Sequence, residues 1–267
     1  MGKALQFIPM VYLTITAATG FPVIAGTSSA AAAENVDLAL VIAVDISASM
    51  DVDEQQLQRD GYVDAFRHPD VISAITEGPY GRISVTYVEW AGPNIHTVIV
   101  PWTVIAGRDE AEAFGSLLAA TPLRRAPGTS ISSALLFAGS QFNRRDYLAD
   151  RLAVDVSGDG ANNGGHPVEL MRDWLVRRGV TINGLPILLK RDPGSEGYVP
   201  DLAAYYEDCV IGGPGAFMIP VDDTASFGTA IRSKLILEIA AVPVLPLINV
   251  AYPGDPRIDC AVAEKAF

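Results

Sequence analysis

Leu38-Ala-Leu-Val-Ile-Ala-Val44 runs directly into Asp45-Ile-Ser47-Ala-Ser49-Met-Asp51. An unbroken apolar run rich in Val and Ile, bounded by polar residues, describes a strand buried on both faces, as inside a parallel sheet. The polar cluster then lies at its carboxyl end, the edge where open α/β sheets bind ligands. Asp45, Ser47 and Ser49 offer three hard oxygen donors at alternate positions, which is chemistry suited to a divalent cation.

The elements downstream alternate. Asp51 and Glu54 have capping-box spacing and open a helix to about Phe66, with Leu57, Tyr62 and Phe66 on its buried face and His68-Pro69 at its end. A further helical turn spans Val71 to Ile75. Arg82–Trp90 and Ile95–Val104 read as strands whose short link, Gly92-Pro93-Asn94, makes them an antiparallel hairpin. Asp109–Ala120 is a helix with Phe114, Leu117 and Leu118 as its apolar side. After a loop carrying Arg124 and Arg125, a helix follows Gly128-Thr129 and runs to about Phe142. Arg151–Val156 is a buried strand that opens into Ser157-Gly158-Asp159-Gly160. A helix at Val168–Arg178, a strand at Val180–Leu189, a short helix at Asp201–Asp208, a last strand at Ala216–Val221 and a helix at Phe227–Ala240 complete the order. This alternation predicts a three-layer, doubly wound α/β fold: a mostly parallel sheet with one antiparallel edge strand and helices on both faces.

Composition narrows the function. The 267 residues carry a net charge of −12, which disfavours nucleic acid and anionic lipid as partners. Residues 1–33 have the form of a secretory signal: Lys3, an apolar stretch from about Phe7 to Ile24, and Ala31-Ala32-Ala33 as a cleavage site. An uncleaved membrane anchor is the alternative reading of that segment. No later segment is long and apolar enough to span a bilayer, so the mature chain is expected to be periplasmic or secreted. In such a compartment Cys209 and Cys260 are expected to pair, stapling a Pro-rich tail (241–267) to the domain (34–240); two free thiols are the alternative.

Asp-x-Ser-x-Ser alone is a common pattern, but two later junctions supply further oxygens: Thr129 before a helix and Asp159 after a buried strand. Together they resemble the von Willebrand factor type A domain and its metal-ion-dependent adhesion site. Asp45, Ser47 and Ser49 match its Asp-x-Ser-x-Ser motif, Gly128-Thr129 with Ala134-Leu135 its Gly-Thr segment, and Asp159-Gly160 its Asp-Gly turn. The resemblance covers about Val36 to Ala240 and departs at Gly158, where a Thr is more usual. Ala204-Tyr-Tyr206 and the run Val210–Phe217 also look like an uncharacterised group of exported bacterial proteins with this domain.

The resemblance implies an α/β fold of Rossmann-like topology and a Mg²⁺ ion (or Mn²⁺ or Ca²⁺) held by Asp45, Ser47, Ser49, Thr129 and Asp159. It also implies a protein partner whose Asp or Glu completes the ion, and no catalysis. Read without it, the same hydroxyls and carboxylates can simply cap helices: Ser49 or Asp51 for the first, Thr129 or Ser130 for the later one. A Mg²⁺-dependent hydrolase or phosphoryl-transfer enzyme is the alternative function. It lacks support from a P-loop, a G-x-S-x-G elbow or a histidine beside a nucleophile. The glycines around Gly158 lack dinucleotide-binding spacing. Asn162, Asn163 and His166 are candidates for a rim around the site, Trp90 and Trp102 for packing, and Asp155, inside an apolar strand, for a carboxylate either partnered internally or placed at a sheet boundary.

Overall fold

A computed structural model of the chain describes residues 1–2, 35–144, 147–189, 199–240 and 258–264. The expected signal segment and the tail between 241 and 257 lie outside the described residues.

Five strands form one sheet in the order β3-β2-β1-β4-β5. They are β1 (Asn35–Asp45), β2 (Ile83–Trp90), β3 (His96–Ile105), β4 (Leu148–Gly158) and β5 (Val180–Pro186). β1 is central and parallel to both β2 and β4, β5 is parallel to β4, and only β3 runs antiparallel, at the edge. The hairpin expected between 82 and 104 is therefore the antiparallel edge pair.

β1 is apolar throughout because each of its faces meets a separate core. Leu38, Leu40, Ile42 and Val44 pack on one side, beneath α1 (Val52–Arg67), α2 (Pro69–Thr76), α3 (Arg108–Ala120) and α7 (Phe227–Ala240). Ala39, Val41 and Ala43 face the other side, beneath α4 (Ile131–Gln141), α5 (Val168–Val176) and the short α6 (Leu202–Tyr205). Period-two alternation thus assigns large residues to one layer and small ones to the other. Each buried Leu, Ile or Val contributes roughly 1.5–3 kcal/mol.

Helix starts follow local chemistry. Asp51 caps α1: its carboxylate accepts the Glu54 N–H at 2.7 Å, and Glu54 returns a bond to the Asp51 N–H at 2.9 Å. His68 ends α1 and caps α2, its Nδ1 accepting the Asp70 N–H.

Two expectations are corrected. Leu117 is 55% exposed, and α3 instead buries Ala111, Phe114 and Leu118, whose spacing fits the helical period better than an adjacent Leu pair does. Residues 216–221 form no sixth strand. Met218 and Val221 make isolated parallel bridges to Gly184 and Ile187, with Pro220 between them unable to donate to a ladder.

Asp155 is partnered inside the protein, as its setting in an apolar strand required. Lys234 of α7 places its Nζ 2.6 Å from Asp155 Oδ1 and also pairs with Glu238. Tyr62 Oη donates to Asp155 Oδ2 at 3.2 Å, and Asn183 Nδ2 donates to Glu238 at 2.9 Å. Burial, reinforced by Asp155 and opposed by Lys234, pushes the Glu238 carboxyl up to about 7. Arg151 donates to the carbonyls of Glu238 and Ile239, so β4 holds the end of α7 by backbone as well as by charge.

Candidate functional site

The parallel register sets the level at which two strands release the chain. Val44 of β1 pairs with Ser157 of β4, so Asp45 and the Gly158-Asp159 turn emerge side by side. The loop before α4 is laid across the same edge. Ala126 donates to the Ile46 carbonyl at 3.0 Å, Ser130 to Ala91 at 2.8 Å, and Gly92 to Pro127 at 3.1 Å. That crossing needs bare backbone: Gly128 has φ +80°, and a Cβ on it would lie 3.1 Å from the Gly92 Cα. Ser47 forms a bridge with Ala126, which ties the Asp-x-Ser-x-Ser turn to this loop.

The five expected residues converge. Ser47 Oγ is 2.8 Å from Ser49 Oγ, and Ser49 Oγ donates to Asp159 Oδ1 at 2.7 Å. Asp45 Oδ1 accepts the Ser47 N–H at 2.6 Å. Thr129 sits against the Asp159 turn: a Cβ on Gly160 would lie 3.8 Å from Thr129 Cγ2 and 3.9 Å from its Oγ1. Asn163 Oδ1 accepts the Thr129 N–H at 2.9 Å, and the Asn163 N–H donates to the Thr129 carbonyl at 2.8 Å. Asp45, Ser47, Thr129 and Asp159 are all buried, and Ser49 is half-buried.

Helix capping does not use these hydroxyls. Asp51 caps α1, and Ser130 caps α4 by accepting the Ser133 N–H at 3.3 Å. Of the two candidates for each cap, Asp51 and Ser130 do the capping, which leaves Ser49 to bond Ser47 and Asp159, and Thr129 beside the Asp159 turn.

The electrostatics of the cluster are unfavourable as it stands. Burial holds the Asp45 carboxyl well above the usual carboxylate range, the Asp159 charge raises it further, and hydrogen bonds from Ser47 and from the Asp159 backbone oppose both. Asp45 Oδ2 has no hydrogen-bond partner among the described residues. A buried acceptor without a donor, next to a second carboxylate, is what a cation would relieve. Two carboxylates and three hydroxyls are hard donors of the kind Mg²⁺, Mn²⁺ or Ca²⁺ accepts. No group of three or more His, Cys, Asp and Glu side chains suited to a metal occurs among the described residues.

The expected rim is partly structural. Asn162 is buried, accepts the Ser132 N–H at 3.0 Å and donates to the His166 carbonyl, while Asn163 orients Thr129. Trp90 lies in the core beside β1, and Trp102 packs on Phe142.

One contributor, quoted in the sequence only as part of the Ala204-Tyr-Tyr206 segment, was not assigned to the site. The chain from Tyr206 to Val210 forms a single π-helical turn after α6, and the Tyr206 phenol reaches the cluster from beneath. A Cβ on Gly158 would meet Tyr206 Oη at 3.0 Å and Asp45 Oδ2 at 2.9 Å. The absence of the usual Thr before Asp159 was the available signal, since a glycine there frees space for some other side chain. Cys209, in the same turn, forms a disulfide with Cys260.

The family described as "Protein of unknown function (DUF1194)" matches residues 35–243. No curated protein matches the chain. Among solved structures, the pilus adhesin SpaC from Lactobacillus rhamnosus GG, in its open conformation, superposes with a TM-score of 0.56 at 12% identity, over 76% of this chain and 30% of that one. Proximal thread matrix protein 1 from the mussel byssus, with a zinc-occupied MIDAS motif, gives 0.55 at 15% identity, over 76% and 46%. A von Willebrand factor type A protein from Catenulispora acidiphila gives 0.52 at 16% identity, over 76% and 43%. The chain thus spans less than half the length of each of these relatives, and its fold is that of the von Willebrand factor type A domain.

Proposed function

The chain belongs to the DUF1194 family, whose description assigns no activity, and from its own geometry we propose that it is an exported, divalent-cation-dependent protein-binding module of the adhesion type. Asp45, Ser47, Ser49, Thr129 and Asp159 would hold Mg²⁺, with Mn²⁺ or Ca²⁺ as substitutes, and a carboxylate from the partner protein would complete the ion. The observation that carries this reading is the division of labour at the two helix starts. Asp51 and Ser130 cap, while Ser47 and Ser49 bond to each other and to the two buried carboxylates, one with a partnerless oxygen, and Thr129 lies beside the Asp159 turn.

Asp45 and Asp159 do no more than balance a dication and the three hydroxyls are neutral, so the ion stays electrophilic and a vacant coordination position can take an external carboxylate. We assign the site no chemistry of its own. His96 stacks on Phe137, His68 caps α2, and His166 is exposed in the loop beyond Asp159. A mussel thread protein with zinc in its MIDAS motif and a pilus adhesin share the fold, which is consistent with a binding role. Export is part of the proposal and is supported by the Cys209–Cys260 disulfide. No helix among the described residues is long and apolar enough to cross a membrane.

The test is calorimetry with Mg²⁺ and Mn²⁺ on wild type and Asp45→Ala, followed by capture of partners from extracellular or periplasmic extract with and without chelator. The proposal expects metal uptake by wild type only, and a partner lost on chelation and in the variant alike. Absence of metal uptake by wild type, or equal uptake by Asp45→Ala, refutes it.

A further inference from the structure

Tyr206 is the feature of this site that the Asp-x-Ser-x-Ser pattern does not account for. It is fully buried, and its Oη has no hydrogen-bond partner among the described residues. A buried hydroxyl left in this state is costly and is normally found only where something else satisfies it. The other partnerless oxygen in the same place is Asp45 Oδ2. Both border the space over Gly158, at 3.0 and 2.9 Å from the point where a side chain there would begin.

Two glycines make room for this ring. Gly184 of β5 pairs with Val156 of β4, and a Cβ on Gly184 would lie 2.8 Å from Tyr206 Cδ1. A Cβ on Gly158, two residues beyond Val156, would collide with the other end of the same side chain. The ring therefore lies along a trough cleared in two neighbouring strands, with its hydroxyl at the metal-site end.

The turn that carries it is anchored from several directions. Arg172 donates to the Asp208 and Cys209 carbonyls at 2.7 and 3.1 Å. Asp208 accepts the Ile258 N–H at 3.0 Å, and Cys209 is bonded to Cys260. The neighbouring Tyr205 accepts the Asn162 N–H at 3.2 Å, so the turn also buttresses the loop that follows Asp159. Single π-turns often occur at functional positions.

We infer that Tyr206 is a positioning residue of the cation site: once Asp45 turns to a cation, the phenol O–H donates to Asp45 Oδ2 and holds that carboxylate in its liganding orientation. This rests on the reading of the site as a cation site. It explains why position 158 is glycine, since the phenol occupies the space that a larger residue would need. It also gives a role to the Ala204-Tyr-Tyr206 segment, which the coordination pattern alone leaves without one.

The experiment compares wild type with Tyr206→Phe, which removes one oxygen and keeps the ring in its trough. Three quantities are read: the thermal midpoint in chelator, the Mg²⁺ and Mn²⁺ dissociation constants by calorimetry, and the tyrosine ultraviolet difference spectrum on adding Mg²⁺. In chelator the variant is expected to be as stable as wild type or more so, because a partnerless buried hydroxyl has gone. Its metal dissociation constants are expected to rise by about 10-fold or more, the scale of lost outer-sphere support. The Mg²⁺-induced tyrosine signal of wild type is expected to vanish. Metal dissociation constants within twofold of wild type overturn the inference while leaving the cation site standing, as does a wild type that binds Mg²⁺ without any tyrosine signal. A wild type that takes up no metal overturns the proposed function and this inference with it.

Discussion

Asp45→Asn should act in opposite directions on the metal-free and metal-bound protein. The substitution is nearly isosteric and keeps the oxygen that accepts the Ser47 N–H at 2.6 Å. At the other oxygen it replaces a partnerless buried acceptor with an amide donor, and Tyr206 Oη stands within the same small space as an acceptor. It also removes the repulsion from Asp159 that helps to raise the Asp45 carboxyl. Relief of an unsatisfied buried group is worth about 1–3 kcal/mol, so urea denaturation at pH 7 in chelator should show the variant more stable by about that amount. Adding Mg²⁺ at 100 times its dissociation constant should stabilise wild type by about 2.7 kcal/mol and leave the variant where it was. The two proteins should therefore converge or exchange order as metal is added. A variant less stable than wild type in chelator by more than about 1 kcal/mol would refute the reasoning, because the carboxylate would then be serving the turn itself.

The internal ion cluster yields two further expectations. Lys234→Met leaves Asp155 and Glu238 buried together without their cation and should cost about 3–5 kcal/mol in a urea titration, most of it recovered when Asp155→Asn and Glu238→Gln are added. Because the Glu238 carboxyl rises from an ordinary 4.5 to about 7 on folding, the folded state holds a proton that the unfolded state has lost between those values. Its contribution is present below pH 4.5 and is lost as pH rises through 7, a slope of at most about 1.4 kcal/mol per pH unit. Glu238→Gln should flatten that slope relative to wild type in denaturation series across the same window.

What could be read from the residues depended on how local the physics was. β1 was legible because a strand buried on both faces writes its burial as continuous apolar sequence, and Asp51 with Glu54 announced α1 through a contact three residues apart. The candidate site was legible only as a set, since Asp45, Thr129 and Asp159 are brought together by parallel register and by a loop crossing at Gly92 and Gly128. Which hydroxyl capped and which joined the cluster was undecidable from spacing, because Ser49 and Asp51, or Thr129 and Ser130, are equally good caps in a sequence. Leu117 misled through apolarity without period. Residues 216–221 looked like a strand and make only isolated bridges. Tyr206 was visible only within the Ala204-Tyr-Tyr206 resemblance, and nothing tied it to the site, as a π-turn has no sequence period to betray it; Gly158 was the one local trace. Asp155 could be flagged as anomalous, but its partner Lys234 lies on a helix far downstream.

The bond between Cys209 and Cys260 has a consequence for the order of events during synthesis. The chain has only these two cysteines, separated by 51 positions, and the second follows every residue of the site. Cys209 has no intramolecular partner until Cys260 has been made, so an earlier oxidation can only join two molecules or a small thiol. Once both are present there is a single possible internal pairing, and no isomerase is needed to choose it. The covalent tie on the turn bearing Tyr206 can therefore close only after every residue of the site has been synthesised, whereas its hydrogen bonds to Arg172 can form earlier.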